Sequence, residues 1–257
     1  MIERDSAASE LEALMASKSR LIRGFAHDIK NPLGAADGRA DLLLAGVVGE
    51  LTAEQVAHLE GIRRSLKASI ALVDLLVEFS RVEAGQIEVQ SQDIDIGVVA
   101  RDAADDHMAA AQCKGLDLVI ECDGAPRVQS DPDRVRQILS NLLSNAVKYT
   151  TAGSVHLHVE LPAPGEGGDY EASVAIRVRD TGRGIPAGRT VELFREFTRI
   201  DPEDKSGSGL GLAISRRLAR LLGGDITVCS EEGSGSTFTL LLPPAAPVRA
   251  EVPIAAE

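Results

Sequence analysis

The chain is poor in aromatic residues and cysteine. It has no tryptophan, and aromatic side chains make up only 3% of its 257 residues, so a core has to be built from aliphatic side chains. Its three cysteines, Cys113, Cys122 and Cys229, are scattered and form no C-x-x-C pair. We therefore expect reduced thiols in a cytoplasmic protein rather than a disulfide framework.

Positive charge and long apolar runs are also scarce. The chain carries 27 Lys and Arg residues against 39 Asp and Glu, which gives a net charge of -12 and a pI near 4.9. A surface of that sign repels nucleic acid and anionic membranes, so neither is an expected partner. No apolar run approaches the roughly 18 residues that span a bilayer, and the N-terminus lacks a signal-peptide core. We expect no membrane segment in this chain.

The N-terminal third has the periodicity of two long amphipathic helices. One helix is predicted over 6–46, and Pro32 within it predicts a bend. A glycine-flanked break at 46–49 follows, and a capping box that begins at Thr52 starts the second helix, which runs to about Glu83. A single hairpin cannot cover both apolar stripes, so two copies forming a four-helix bundle are expected. An intramolecular coiled-coil spacer is the alternative.

A histidine lies on the polar side of the first predicted helix. His27 is roughly 150° from the centre of the apolar stripe around it, at about 100° per residue, so it faces water. Asp28 is its neighbour in sequence, and Asn31 lies one turn further on the same face. A lone surface histidine is more often only a solvated side chain, so its interpretation depends on the rest of the chain.

After Ala84 the periodicity becomes mixed and predicts an α/β sandwich, with helices packed on one mostly antiparallel sheet. The proline- and glycine-rich segment 162–168 is predicted to be a flexible loop, and the tail after Pro243 to be disordered. The predicted helices are 95–112, 131–149, 187–198 and 210–222, and the predicted strands are 116–121, 154–161, 172–180, 225–230 and 236–242.

One helix of this second region carries a polar face. Asn141, Asn145 and Lys148 recur at steps of four and three, so they project from one side. Amide oxygens suit a hard cation such as Mg²⁺, and a lysine supplies a point charge for phosphate. An asparagine-rich solvated face would look the same, and for any single asparagine that is the commoner case.

A carboxylate followed by glycines ends one of the predicted strands. Asp180 precedes Gly182 and Gly184, which permit tight turns and close backbone approach. A carboxylate in that position can accept a hydrogen bond from the exocyclic amine of a purine. An ordinary turn at a strand end is about equally consistent with this segment alone.

A second glycine-rich segment begins a helix, where free backbone N–H groups bind phosphate. Its spacing is that of neither a dinucleotide fingerprint nor a P-loop. The preceding segment, 194–206, has the composition of a mobile lid with aromatic anchors. Each of these segments alone is weak evidence for a nucleotide site, but the segments together and in this order are strong evidence for one. The residues concerned are Gly207, Gly209, Leu210 and Gly211 at the helix start, and Phe194, Phe197 and Arg199 in the lid.

From about Leu21 to Leu242 the chain resembles the catalytic core of the sensor histidine kinases of bacterial two-component systems. His27-Asp28 with Asn31-Pro32 is similar to the phosphoacceptor box, and Asn141 to Tyr149 to the N box. Asp180-x-Gly182-x-Gly184 resembles the first glycine box of the family, and Gly207-x-Gly209-x-Gly211 resembles the second. Phe194-x-x-Phe197 resembles the F box.

The resemblance implies an α+β chain of two domains. A dimerising helical hairpin, which is a four-helix bundle as a dimer, would carry the phosphoacceptor histidine. An α/β-sandwich ATP-binding domain of the gyrase, Hsp90 and histidine kinase type would follow it. The expected divisions are an N-terminal helical extension at 1–20, the hairpin at 21–84, a hinge at 85–94, the ATP-binding domain at 95–243 and a tail at 244–257.

The resemblance also implies ligands, partners and roles. ATP and Mg²⁺ are the expected ligands, and a second copy of the chain and a response-regulator receiver domain are the expected partners. Asn145 with Asn141 would bind Mg²⁺, Lys148 phosphate and Asp180 adenine. The full set expected to bind the nucleotide is Asn141, Asn145, Lys148, Tyr149, Asp180, Gly182, Gly184, Phe197, Arg199, Gly207, Gly209, Leu210 and Gly211.

We therefore expect an ATP-dependent protein-histidine kinase. It would autophosphorylate on His27 with the help of Asp28 and pass the phosphoryl group to an aspartate of a response regulator. It would also act as the phosphatase of that regulator, with Asn31 orienting the attacking water. A gyrase- or Hsp90-like ATPase would need a glutamate to activate water, and 137–141 offers none. A non-enzymatic dimeric scaffold would be expected to have lost the histidine or a nucleotide residue, and none is missing.

Overall fold

The structure is a computed structural model that describes residues 2–160, 174–198 and 208–243, with side chains from Leu14 onward except that of residue 15. The chain divides into two compact units, Met1–Ile87 and Glu88–Glu257. The segment predicted as a flexible loop at 162–168 and the tail at 244–257 lie outside the described residues. No helix in the described part of the chain is long and apolar enough to cross a membrane.

The first unit is the predicted helical hairpin. Helix α1 spans Ile2–Leu44 and continues through Pro32, and helix α2 spans Ala53–Glu83. Thr52 caps α2 as the sequence indicates, because its hydroxyl accepts from Gln55 N while the Gln55 side chain accepts from Thr52 N.

Small side chains and ion pairs set the packing of α1 on α2. Ser19, Ala26 and Ala40 are buried on α1, so the two helices approach closely there. Three sets of charges hold the antiparallel register: Lys18 with Glu83 at 2.9 Å, Lys30 with Asp74 at 2.5 Å, and Arg63 with Asp37 and Asp41 at 3.3 and 2.7 Å.

The second unit is an α/β sandwich, as predicted. Its main sheet has the order β2-β4-β5-β7-β6, in which β2 and β4 are parallel and the other neighbours antiparallel. The core is aliphatic, with Ile138, Leu157 and Leu240 fully buried among its residues. The elements are β1 (Gln92–Asp95), α3 (Ile96–Cys113), β2 (Asp117–Glu121), β3 (Arg127–Ser130), α4 (Pro132–Tyr149), β4 (Ser154–Glu160), β5 (Val174–Asp180), α5 (Gly211–Leu221), β6 (Asp225–Glu231) and β7 (Gly235–Leu242).

A small second sheet differs from the prediction of a single sheet. Strands β1 and β3 pair antiparallel, with Gln92 opposite Ser130. Gln90 N also donates to the Asp131 carboxylate at 2.9 Å, so part of the segment predicted as a hinge at 85–94 is folded into the second unit. Both strands are only four residues long, and too few residues alternate for their sequence to indicate a strand.

The prediction of a helix over 187–198 is wrong. Among the described residues of that segment there is only a 3₁₀ turn at Thr190–Glu192. It is followed by bonds from the N–H groups of Leu193, Arg195 and Thr198 to the carbonyl three residues earlier. Gly188 at φ +83 and Phe197 at φ +56 bound it in left-handed conformations. The apolar residues of this segment therefore repeat without forming an α-helix.

A buried carboxylate that pairs with two arginines joins α5 to β6. Asp225 accepts from Arg216 at 2.8 and 3.0 Å, from Arg220 at 3.3 and 3.2 Å, and from Ile226 N at 2.8 Å. Burial by itself raises the pKa of Asp225, but these donors outweigh it and hold the pKa below its ordinary value. Because the folded state prefers the carboxylate, Asp225 stabilises the fold above its unfolded pKa.

Asp225→Asn should lower the free energy of unfolding at neutral pH by about 1.5–3 kcal/mol, the contribution of hydrogen bonds to charged groups. The deficit should shrink as the pH falls from about 3.9, the ordinary pKa of aspartate, through the lowered folded-state pKa, because the contribution of the wild-type carboxylate is lost over that range. Urea unfolding across that pH range measures it, with Asp93→Asn on an exposed ion pair as the matched control. A deficit that does not change with pH would contradict this assignment.

Candidate functional site

His27 is exposed on α1, as its position predicts. Its side chain is 74% accessible, and its Nδ1 lies 3.4 Å from Asp28 Oδ1 and 3.4 Å from Asn31 Nδ2. Nδ1 cannot donate to the carboxylate and accept from the amide in one tautomer. When Nδ1 carries the proton, it donates to Asp28 and leaves the Nε2 lone pair facing solvent.

Helix α4 presents its polar residues on the side opposite the core. Asp131 caps the helix, because its carboxylate accepts from Asp133 N and Arg134 N at 3.1 and 3.2 Å. The polar side of α4 has exposed and half-buried residues, and the half-buried ones include Asn141, Asn145, Lys148 and Tyr149. The opposite side is buried through Val135, Ile138, Leu139, Leu142, Leu143, Ala146 and Val147.

The start of α5 packs against this polar face. Asn141 Nδ2 donates to Ser215 Oγ at 2.8 Å, and a Cβ on Gly211 would lie 2.5 Å from Asn141 Oδ1. Glycine at that position therefore allows the N-terminal turn of α5 to contact α4 directly. By contrast, the amide of Asn145 bonds to no residue that the structure describes.

Asp180 is a buried carboxylate at the end of β5. It is 5% exposed, and its Oδ1 accepts from Gly182 N at 2.9 Å. Burial raises the pKa of Asp180, and the hydrogen bonds from Gly182 N and Ser236 N only partly oppose that rise. A buried acceptor of this kind favours a ligand that brings a donor to it.

The loop after Asp180 is held by the β6–β7 hairpin. Gly184, at φ +66, lies against the Glu231 carbonyl with no space for a Cβ. Ile185 N donates to Ser230 Oγ, which in turn donates to Gly235 O, each at 2.9 Å. The serine- and glycine-rich composition of 230–236 is the signal that could have indicated this support.

The segment that contains Phe197 contacts the second glycine segment. A Cβ on Gly209, which has φ +72, would lie 2.7 Å from the backbone carbon of Phe197. Phe197 is 63% exposed, and it is the one residue other than glycine with positive φ in the described part of the chain. Leu210 is buried and Gly211 begins α5, whereas Arg199 and Gly207 lie outside the described residues.

The second unit thus brings most of the predicted nucleotide residues together. Asn141 contacts Gly211, and Lys148 Nζ donates to Tyr149 OH at 2.9 Å. A Cβ on Gly182 would lie 2.5 Å from Tyr149 O, which places the Asp180 loop against the end of α4. The result is one cluster with a buried carboxylate, a lysine, amide oxygens and a helix N-terminus, which are kinds of group that suit a purine nucleotide.

Two family models match the chain, one in each unit. Residues 17–85 match the model described as His Kinase A (phospho-acceptor) domain. Residues 130–246 match the model described as Histidine kinase-, DNA gyrase B-, and HSP90-like ATPase. The chain belongs to the histidine kinase family. In this order, the two domains form a histidine kinase catalytic core, so the predicted family and fold class are confirmed.

Relatives of this histidine kinase core include three bacterial sensor proteins. It is 33% identical over 248 residues to the autoinducer 2 sensor kinase/phosphatase LuxQ of Vibrio parahaemolyticus, and covers 28% of that protein. It is 34% identical to the sensor histidine kinase RcsC and to the aerobic respiration control sensor protein ArcB, both of Escherichia coli K12, and covers 24% and 30% of them. These matches take in 92–94% of the chain, which thus spans less than a third of each relative's length.

Two solved structures resemble most of the chain. Full-length ShkA in complex with AMPPNP matches 90% of this chain with a TM-score of 0.73 and 32% sequence identity, over 48% of its own length. The histidine kinase AdeS of Acinetobacter baumannii matches 84% of this chain with a TM-score of 0.57. At 23% identity, AdeS supports the fold alone.

Proposed function

We propose that this chain is an ATP-dependent protein-histidine kinase that phosphorylates its own His27 and then passes the phosphoryl group to an aspartate of a response-regulator receiver domain. The observation that carries the proposal is the exposed Nε2 of His27, whose other ring nitrogen contacts a carboxylate, in a chain that also has a nucleotide cluster. ATP as the substrate favours action in the cytoplasm.

His27 supplies the nucleophile. The Nε2 lone pair attacks the γ-phosphorus of ATP, the N–P bond forms, and the bond from the γ-phosphorus to the β–γ bridging oxygen breaks, so ADP leaves. The ring then carries a positive charge, which Asp28 stabilises by accepting from Nδ1–H. In the second transfer, an aspartate oxygen of the regulator attacks the phosphorus. The N–P bond breaks, and His27 returns to neutral imidazole.

The second unit supplies binding and orientation. Asp180 accepts from the adenine amine, Lys148 binds phosphate, and the backbone N–H groups at the start of α5 bind phosphate oxygens. Catalysis in such a site consists of positioning and charge neutralisation rather than covalent chemistry by the protein.

The residues present fit a Mg²⁺ ion. Asn145 has an amide that bonds to no described residue, and the Asn141 amide donates to Ser215, so its oxygen is the group left to accept or ligate. Within the described residues, no three His, Cys, Asp or Glu side chains gather as a metal site. Two amide oxygens suit Mg²⁺, which keeps several of its waters and also binds phosphate oxygens. The ion would neutralise part of the phosphate charge.

A second copy of the chain is the proposed partner of the hairpin. Large apolar side chains are exposed on both helices, and Phe25 and Ile29 on α1 are 66% and 49% accessible in one copy. They are joined by Leu21 and Leu42 on α1 and by Ile62, Leu72 and Leu76 on α2. Exposed apolar surface of this extent favours a four-helix bundle made of two hairpins.

Labelling with γ-phosphate-labelled ATP tests the proposed activity. Phosphohistidine is acid-labile and base-stable, so the kinase should carry a label that base preserves and acid removes. Phosphate released without labelled protein would instead indicate a gyrase- or Hsp90-like ATPase, and neither product would indicate a scaffold. Addition of a receiver domain should then transfer the label to that domain.

Asn31→Ala should separate the kinase from the phosphatase activity. We propose that the Asn31 amide orients a water against the aspartyl-phosphate of a docked regulator, a task that autophosphorylation does not need. Its contact with His27 Nδ1 cannot coexist with the Asp28 contact when Nδ1 carries the proton. Dephosphorylation of the regulator should fall at least about tenfold while labelling of the kinase is retained.

The two activities are measured side by side on the variant and the parent. Equal loss of both, together with a lower melting temperature, would make Asn31 a structural residue that caps the backbone freed by Pro32. Asn31→Asp is the matched control, because it keeps the size of the side chain but removes the amide donor.

A further inference from the structure

Two cations flank the ring of one tyrosine at the nucleotide cluster. Lys148 Nζ lies 4.5 Å from the centroid of the Tyr149 ring and donates to its hydroxyl at 2.9 Å. Arg183 Cζ lies 5.0 Å from the same centroid. Both distances are within the range of a cation–π interaction, so the ring is attracted to the lysine and to the arginine.

The backbone on either side of Arg183 is closely packed. A Cβ on Gly182 would lie 2.5 Å from Tyr149 O, and Gly184 lies directly against the Glu231 carbonyl. The carbonyl of Arg183 also accepts from Gly233 N at 2.7 Å. These contacts place the backbone of Arg183 beside the end of α4, where its guanidinium lies over the Tyr149 ring.

We infer that Arg183 is a positioning residue of the nucleotide site: its guanidinium holds the Tyr149 ring, and the Tyr149 hydroxyl in turn directs the Lys148 ammonium toward the phosphates of the nucleotide. This role rests on the proposed function, since it assigns phosphate to Lys148. Arg183 does not contact the ligand. The cost of carrying two cations beside one ring is relieved when a polyanion binds near Lys148.

Binding of ATP and of adenosine to purified protein tests the role. Arg183→Ala should weaken ATP binding by about two- to fivefold, as expected for an exposed cation–π contact. Adenosine binding should be unchanged, because adenosine has no phosphate for Lys148 to bind. Equal weakening of both ligands would overturn the inference, and so would no weakening of ATP binding.

Removal of the tyrosine ring separates positioning from direct contact. In a Tyr149→Leu background, Arg183→Ala should cause no further loss of ATP affinity, because the ring through which it acts is gone. A full additional loss would mean that Arg183 contacts the nucleotide itself and would overturn the inference. Arg183→Lys should restore part of the affinity in the parent, because the ammonium keeps the charge but not the planar stacking.

A readout without nucleotide keeps this test independent of the proposed function. The chain has two tyrosines, Tyr149 and Tyr170, so ring-labelled tyrosine gives only two sets of NMR signals. Arg183→Ala should shift the Tyr149 set in the free protein. Arg179→Ala, the same charge change at an exposed position of β5, should shift neither set nor alter ATP binding. Unmoved Tyr149 signals in Arg183→Ala would overturn the inference even if the protein proves to be an ATPase.

Discussion

His27→Gln should abolish the acid-labile label while ATP binding is unchanged. The glutamine amide has the polarity and nearly the size of the imidazole, but its nitrogen lone pair is delocalised and is not a nucleophile. His27 lies on the first unit, whereas the nucleotide cluster lies on the second, so the substitution should leave ATP affinity at the parental value. Labelling with γ-phosphate-labelled ATP and calorimetry of ATP binding measure the two properties.

His58→Gln is the matched control for this experiment. His58 is also an exposed histidine of the hairpin, with a side chain 77% accessible and its Nε2 3.9 Å from Glu54 Oε1. The His58 variant should keep its full label. If instead the His27 variant keeps its label and the His58 variant loses it, the phosphoacceptor is His58 and the assignment of His27 is wrong.

Asp180→Asn should weaken ATP binding far more than it disturbs the fold. The Asn oxygen can still accept from Gly182 N, as Asp180 Oδ1 does at 2.9 Å, which turns the amide nitrogen toward the ligand. A donor then faces the adenine amine, which is also a donor. A hydrogen bond to a charged group contributes about 1.5–3 kcal/mol, so we expect at least about tenfold weaker binding by calorimetry.

The raised pKa of Asp180 determines the pH dependence of both properties. A carboxyl group with a raised folded-state pKa contributes stability below its unfolded pKa, and that contribution is lost as the pH rises through the folded value. At neutral pH the Asn variant should therefore be no less stable than the parent. Parental ATP affinity should fall as the pH is lowered through the raised pKa, and the variant should lack that dependence.

Thermal unfolding and calorimetry at several pH values check this pair of expectations. Ser230→Ala is an informative comparison, because it removes the hydroxyl that holds Ile185 N and Gly235 O while Asp180 is kept. It should lower stability and ATP affinity together. Unchanged ATP affinity in a folded Asp180→Asn protein would remove Asp180 from the site.

Local features of the structure could be predicted because they depend on neighbouring residues. Asp131 before Pro132 marks the start of α4, and Thr52 with Gln55 marks the start of α2. Such signals are local, because a capping side chain bonds to backbone N–H groups no more than three residues away. The spacing of Asn141 and Asn145 on one face of α4 follows from the helical repeat alone. The histidine kinase motifs are short segments of this kind, so the family could be identified from them.

Contacts between distant segments could not be predicted in the same way. The pairing of β1 with β3 and the contact of Asn141 with Ser215 join residues far apart in sequence, and no short pattern encodes either. The 187–198 segment has helical periodicity, yet it ends in the left-handed Phe197 that packs against Gly209. Tertiary packing there overrides the local preference.

The sequence by itself determined the two-domain order, the aliphatic core, the helical hairpin with an exposed His27, and the set of residues that could bind a nucleotide. Only the tertiary structure decided that the β6–β7 hairpin supports the Asp180 loop, that burial raises the pKa of Asp180, and that Arg183 lies over the Tyr149 ring. Residue type and spacing are local properties, whereas desolvation and side-chain contacts depend on which distant segments pack around a group.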